Sequence, residues 1–68
     1  MLTEEQKNKL QQTTIEGLVG FGYSIKSFNE IIASNVLTNF AKGVLKNMKY
    51  DTEDEVIHAM IDEFIETF

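Results

Sequence analysis

The segment Ser24–Tyr50, which reads SIKSFNEIIASNVLTNFAKGVLKNMKY, decides how this chain folds because it is its longest periodic stretch. At 100° per residue, the apolar residues of the first part, from Ile25 to Ile32, share an arc of roughly 120°. Those of the second part, from Val36 to Met48, share an arc of about 180° that points almost the opposite way. One straight helix cannot pack both faces against a single partner.

Two arrangements satisfy these opposed faces. The chain can break at Ser34-Asn35, because serine and asparagine favour caps and turns over helix interiors. This break predicts helices at 25–33 and 36–49. Alternatively, one long helix faces the core with one half and a second chain with the other. We favour the break.

The chain before this segment predicts one helix over residues 3–19 that ends in a glycine-rich connection. Thr3 and Gln6 have the spacing of a capping box. The three glycines that follow have the order GxxGxG, which differs from the dinucleotide-binding order GxGxxG, and no strand precedes them. They predict a helix end, where glycine tolerates positive φ; they are Gly17, Gly20 and Gly22.

The chain after this segment predicts a strongly amphipathic helix over residues 53–68. Thr52 and Glu55 have capping-box spacing, and acids fill the first turn. The apolar residues share an arc of about 180°, which is wide for so small a domain. We therefore predict a protein interface on this helix, formed by Val56, Met60, Ile61, Phe64 and Phe68.

The fold class that follows is all-α, a small three- or four-helix bundle over a single domain, 1–68. The helices at 25–33 and 36–49 suggest a helix-turn-helix-like pair. The predicted core contains Leu18, Phe21, Phe28, Ile32, Leu37, Phe40, Val44, Ile57, Ile61 and Phe64.

The small size of the chain predicts self-association. A domain of 68 residues is marginal by itself and usually needs a disulfide, a metal or a second subunit. There is no cysteine, and the presence of only one histidine disfavours a histidine-based structural metal site. A homo-oligomer is the remaining route to stability.

The charge is unevenly distributed along the chain. Four lysines against one glutamate give residues 24–50 a net charge of +3, seven acids give residues 51–68 a net charge of −7, and the whole chain carries −5. On the 36–49 helix the polar residues share an arc of about 80°. They form a possible nucleic-acid or acidic-partner face: Asn35, Asn39, Lys42, Lys46 and Lys49.

Nucleic-acid binding by this face is the less favoured interpretation. Asparagine can pair with adenine and lysine with phosphate. However, arginine is absent, the chain is acidic, and the predicted turn lacks the usual glycine. A solvated lysine face or a contact with an acidic protein is the simpler interpretation.

No catalytic or cofactor motif is present, so an enzyme is not expected. His58 has Asp54 and Asp62 four residues to either side, but three ligands on one exposed helix make a poor metal site. No apolar run reaches the length of about 18 residues that a membrane span needs. We find no signal-peptide pattern and expect a cytoplasmic protein.

The leading functional expectation is a small acidic helical protein-interaction module. It would act as an adaptor, inhibitor or regulator by docking on another protein, as a homo-oligomer. The alternative is a helix-turn-helix-like DNA-binding regulator that uses the 36–49 helix.

Overall fold

The computed structural model describes all residues from Met1 to Phe68. It contains four helices and no strand. The third helix packs against each of the others. The chain is compact, with principal extents of 31 × 23 × 17 Å. The all-α class is therefore confirmed; the helices are α1 Glu4–Gly20, α2 Phe28–Ile32, α3 Asn35–Tyr50 and α4 Glu55–Ile65.

The predicted break between the two central helices is confirmed. Ser34 is the N-cap of α3, and its Oγ accepts a hydrogen bond from the Leu37 amide at 3.3 Å. Across the turn, the Thr38 hydroxyl donates to the Ile31 carbonyl at 2.8 Å. These bonds satisfy backbone groups that the helix ends leave free.

The helix α2 is shorter than the predicted 25–33 and has little more than one turn. Ser27 is extended and serves as its N-cap, so the helix begins at Phe28. The Glu30 carboxylate accepts hydrogen bonds from the backbone amides of Lys26 and Ser27. The chain ahead of Phe28 is thereby held as a loop rather than as another helical turn.

The first helix begins and ends as its sequence predicts. Thr3 and Gln6 exchange the two hydrogen bonds of a capping box, at 3.0 and 3.1 Å. At the other end, the Tyr23 amide donates to the Leu18 carbonyl at 3.2 Å, and Gly22 has a φ of 99°. This is a Schellman motif, which needs a residue that tolerates positive φ at Gly22.

The last helix begins later than predicted. Asp54, rather than Thr52, is the N-cap, and its carboxylate accepts from the Val56 amide at 2.9 Å. The Thr52 hydroxyl accepts from the Asp54 amide, and its carbonyl contacts His58 Nε2 at 2.6 Å. The helix ends at Ile65 rather than Phe68.

Two clusters of buried side chains form the core. Leu10, Leu45, Ile61 and Phe64 form one cluster. Leu18, Ile31 and Ala41 form the other. Two partly buried aromatic residues pack against both clusters and join them; they are Phe28 and Phe68.

Four of the residues predicted for the core are exposed instead. Phe21 lies beyond the last helical turn of α1, and Ile32 ends α2 while its neighbour Ile31 takes the buried position. Phe40 lies on an apolar arc of α3 that is wider than the surface it packs against, and Ile57 lies one turn before the buried part of α4. The prediction is correct for Leu18, Ile61 and Phe64, which are buried, while Phe28, Leu37 and Val44 are partly buried.

Two helices, α1 and α3, approach closely at Gly17. A Cβ atom at this position would lie 2.7 Å from Val44 Cγ1, closer than real Cβ contacts come. Val44 is β-branched and therefore stiff at χ1, so it cannot easily turn away. Glycine at 17 thus lets α1 lie directly against α3.

Replacing Gly17 with alanine should destabilise the fold. The gain in helix propensity, about 1 kcal/mol, is outweighed by an overpacking cost of about 1–3 kcal/mol. We expect a net loss of about 1 kcal/mol in the free energy of unfolding, measured with urea at fixed protein concentration.

Gly20→Ala is the matched control, because a Cβ at Gly20 meets nothing within 4 Å. It should leave the stability unchanged or raise it. In a double-mutant cycle, Val44→Ala should remove most of the penalty of Gly17→Ala. Equal stability of Gly17→Ala and Gly20→Ala would contradict the close approach.

Candidate functional site

The predicted interface on α4 is divided by the fold. Ile61 and Phe64 are fully buried in the core of the chain itself, because this side of α4 packs against the other helices. Met60 and Phe68 are partly buried, and Phe68 packs on Phe28 and Phe64. Only Val56 is largely open to a partner, with 67% of its surface exposed.

An open cleft of about 530 Å³ lies beside this part of α4. We call it the α1–α4 cleft. Ile57 and Met60 line it from α4, and Val56 lies one turn before Met60. The remaining lining residues come from the start of α1 and the end of α3, and they are Thr3, Glu5, Gln6, Lys9, Leu10, Thr13 and Met48.

The predicted polar face of α3 is partly engaged with α4. Lys49 Nζ contacts both carboxylate oxygens of Asp62, at 2.8 and 3.0 Å. Both side chains are substantially exposed, so the pair contributes only about 0–1 kcal/mol. Lys42 and Lys46 form no ion pair, while Asn35 and Asn39 are exposed.

A second depression, which we call the α3 groove, was not predicted as a site. It has a volume of about 480 Å³. Its two aromatic lining residues, Phe21 and Phe40, were expected in the core. Phe21 is 71% exposed, Val36 60% and Phe40 49%. Its full lining is Phe21, Val36, Asn39, Phe40, Gly43, Val44 and Asn47.

One sequence signal pointed to the α3 groove. The apolar arc of the 36–49 helix covers about 180°, more than one small core can cover. Gly43 lies inside this helix, at a position where alanine would be about 1 kcal/mol more favourable for helix formation. A wide apolar arc with an interior glycine is typical of a helix that meets neighbours on two sides.

The three side chains considered as metal ligands each contact a different group. Asp54 caps α4, His58 contacts the Thr52 carbonyl, and Asp62 pairs with Lys49. Because a carbonyl oxygen only accepts hydrogen bonds, Nε2 of His58 is the protonated nitrogen. All three therefore have structural roles at the start of α4 and at its contact with α3.

No helix in the chain combines the length and the apolar character that crossing a membrane would require. Comparisons with protein-family models, with curated proteins and with solved structures give no match. The function is therefore inferred from the surfaces of the chain itself.

The Glu30 carboxyl should titrate below its ordinary pKa of 4.5. The backbone amides of Lys26 and Ser27 donate to the carboxylate and lower its pKa. The stability that this contact contributes is present above the unfolded pKa and is lost as the pH falls through the folded value. An NMR titration of the side-chain carboxyl carbon measures the pKa of Glu30.

The control is the same titration in denaturing urea, where the amides no longer converge on Glu30 and the pKa should return to its ordinary value of 4.5. A folded-state midpoint at or above 4.5 would show that the contact is absent in solution.

Proposed function

We propose that this chain is a small acidic protein-interaction module, an adaptor, inhibitor or regulator, that docks on another protein as a homo-oligomer in the cytoplasm. The observation that carries the proposal is the apolar surface left open after folding. Only eight of 68 residues are buried, whereas nine large apolar side chains are exposed. Several of these cluster at the two depressions, and clustered apolar exposure marks interaction sites.

The total surface supports the same conclusion. The chain exposes 4803 Å², whereas a folded monomer of its mass typically exposes about 4,400 Å². The exposed area is thus larger than expected by roughly a tenth, and few residues are buried. Both observations favour a chain that buries further apolar surface against a partner.

The α1–α4 cleft is the surface we assign to the foreign protein. Ile57 lines it with 38% of its surface exposed, and Val56, the residue before Ile57 on α4, is 67% exposed. Glu5 and Lys9 line the cleft, and Glu53 and Glu55 lie just before Val56 in the chain, so acids outnumber lysine around it. An apolar strip with an acidic border fits a partner with an apolar contact and a basic rim, because complementary charge speeds association and fixes orientation.

Val56→Lys should abolish capture of this partner. The change removes apolar contact area and places a positive charge opposite a basic rim. We expect affinity purification from extracts of the native host to recover one protein in a near-stoichiometric amount with the wild type. Recovery should fall at least about tenfold with Val56→Lys, a loss of about 1.4 kcal/mol of binding free energy.

Val19→Lys is the control, since Val19 is also an exposed helical valine but lies six residues beyond Thr13, the last residue of α1 that lines the α1–α4 cleft. It should leave the recovery unchanged. The same recovery from all three proteins, or no specific partner at all, would contradict the proposed docking.

The second candidate function is DNA binding. The α2–turn–α3 arrangement and the two lysines of α3 that form no ion pair, Lys42 and Lys46, favour it. If it is correct, the protein binds duplex DNA with a strong salt dependence, and Lys42→Glu with Lys46→Glu abolishes the binding. Lys7→Glu with Lys9→Glu on α1 makes the same charge change elsewhere and controls for net charge.

The interaction-module proposal makes the opposite prediction. The wild-type chain should show no binding to duplex DNA even at about 50 mM salt, where phosphate contacts are strongest. Gel-shift or fluorescence anisotropy measurements decide between the two functions.

A further inference from the structure

We propose that the α3 groove is where a second copy of this chain binds, so that two α3 helices cross near Gly43 in a two-fold dimer. The inference rests on the homo-oligomer in the proposed function and names the surface that forms it. It assigns the α3 groove to self-association and leaves the α1–α4 cleft for the foreign protein.

Gly17 and Gly43, the two glycines in helix interiors, differ in what the fold explains, whereas Gly20 ends α1. Gly17 is required, because Val44 leaves no room for a Cβ. Gly43 also lies within a helix, but a Cβ there would meet nothing within 4 Å. The monomer thus offers no packing reason for a glycine that lowers helix propensity. A backbone that approaches from outside the monomer supplies one.

The α3 groove carries both halves of a self-complementary contact. A two-fold interface uses the same patch on both subunits, so each patch must contain both a projection and a matching recess. The Phe40 ring packs on Tyr23 with about half of its surface exposed, and Gly43, three residues later on the same face of α3, leaves a recess. In an antiparallel crossing between these positions, Phe40 of each copy fills the recess at Gly43 of the other.

The charges of the chain favour this surface for self-association. Two copies that each carry −5 repel one another, so they associate best through a neutral patch. The α3 groove is the one surface depression whose lining has no ionisable side chain. Asn39 and Asn47 on its border can each donate and accept, and so can pair with the same residues of a second copy.

Two valines provide a matched test of this surface. Val36 in the α3 groove and Val56, next to the cleft residue Ile57, are each the second residue of a helix, and they are 60% and 67% exposed. An aspartate at this position is favourable in the monomer, because it interacts with the positive end of the helix dipole. Both substitutions should therefore leave the chain folded.

The experiment is sedimentation equilibrium on the wild type, Val36→Asp and Val56→Asp, with circular dichroism to confirm the fold. The wild type and Val56→Asp should be dimers, that is, twice the 7.8 kDa of one chain. Val36→Asp should be a folded monomer. Gly43→Leu, which fills the recess, should raise the dimer dissociation constant at least about tenfold, or about 1.4 kcal/mol.

The outcomes separate this inference from the proposed function. A wild-type chain that stays monomeric at all concentrations overturns both the dimer and the homo-oligomer. A wild-type oligomer that survives Val36→Asp and Gly43→Leu overturns only the assignment to the α3 groove, and its loss with Val56→Asp would place the contact at the α1–α4 cleft. If Val36→Asp does not fold, Phe21→Asp makes the same test from the end of α1.

Discussion

The close contact of Gly17 with Val44 is the constraint on which the rest of the structure depends. It places α1 directly on one edge of α3 and so fixes which part of the apolar arc of α3 faces inward. Ala41 and Leu45 then point into the core, where α1, α2 and α4 cover them. Phe40 lies on the far side of this contact and remains exposed. The α3 groove therefore results directly from the position in which α1 packs on α3.

The local features of the fold were predictable from the sequence because they depend on near neighbours. The capping box at Thr3, the break at Ser34 and the helix end at Gly22 each follow from one residue type and its spacing. The prediction of Thr52 as the N-cap of α4 was wrong, because Asp54, two residues later, competes for the same role. Its carboxylate accepts a hydrogen bond from the Val56 amide. A carboxylate at the start of a helix also benefits from the helix dipole.

Burial was harder to predict because it depends on neighbours that are distant in the sequence. A helical wheel gives the width of an apolar arc, but it does not say which part of the arc another helix covers. Ile31 and Ile32 are both apolar and adjacent, yet only Ile31 is buried. The same limit explains why Phe40 was expected in the core and why the predicted interface on α4 included Ile61 and Phe64. A chain of this size has too few helices to cover every apolar residue.

The charges and the apolar depressions lie on different parts of the surface. The polar face of α3 is partly neutralised by α4 through Lys49 and Asp62, whereas the α3 groove is uncharged. In the proposed dimer, a second copy of the chain covers this groove. The most direct measurement is an isotope-filtered NOE spectrum on a mixture of labelled and unlabelled chains. The account predicts NOEs between the Phe40 ring of one copy and the Gly43 α-protons of the other. A dimer whose intermolecular NOEs arise from α4, or a sample with no intermolecular NOE, would contradict it.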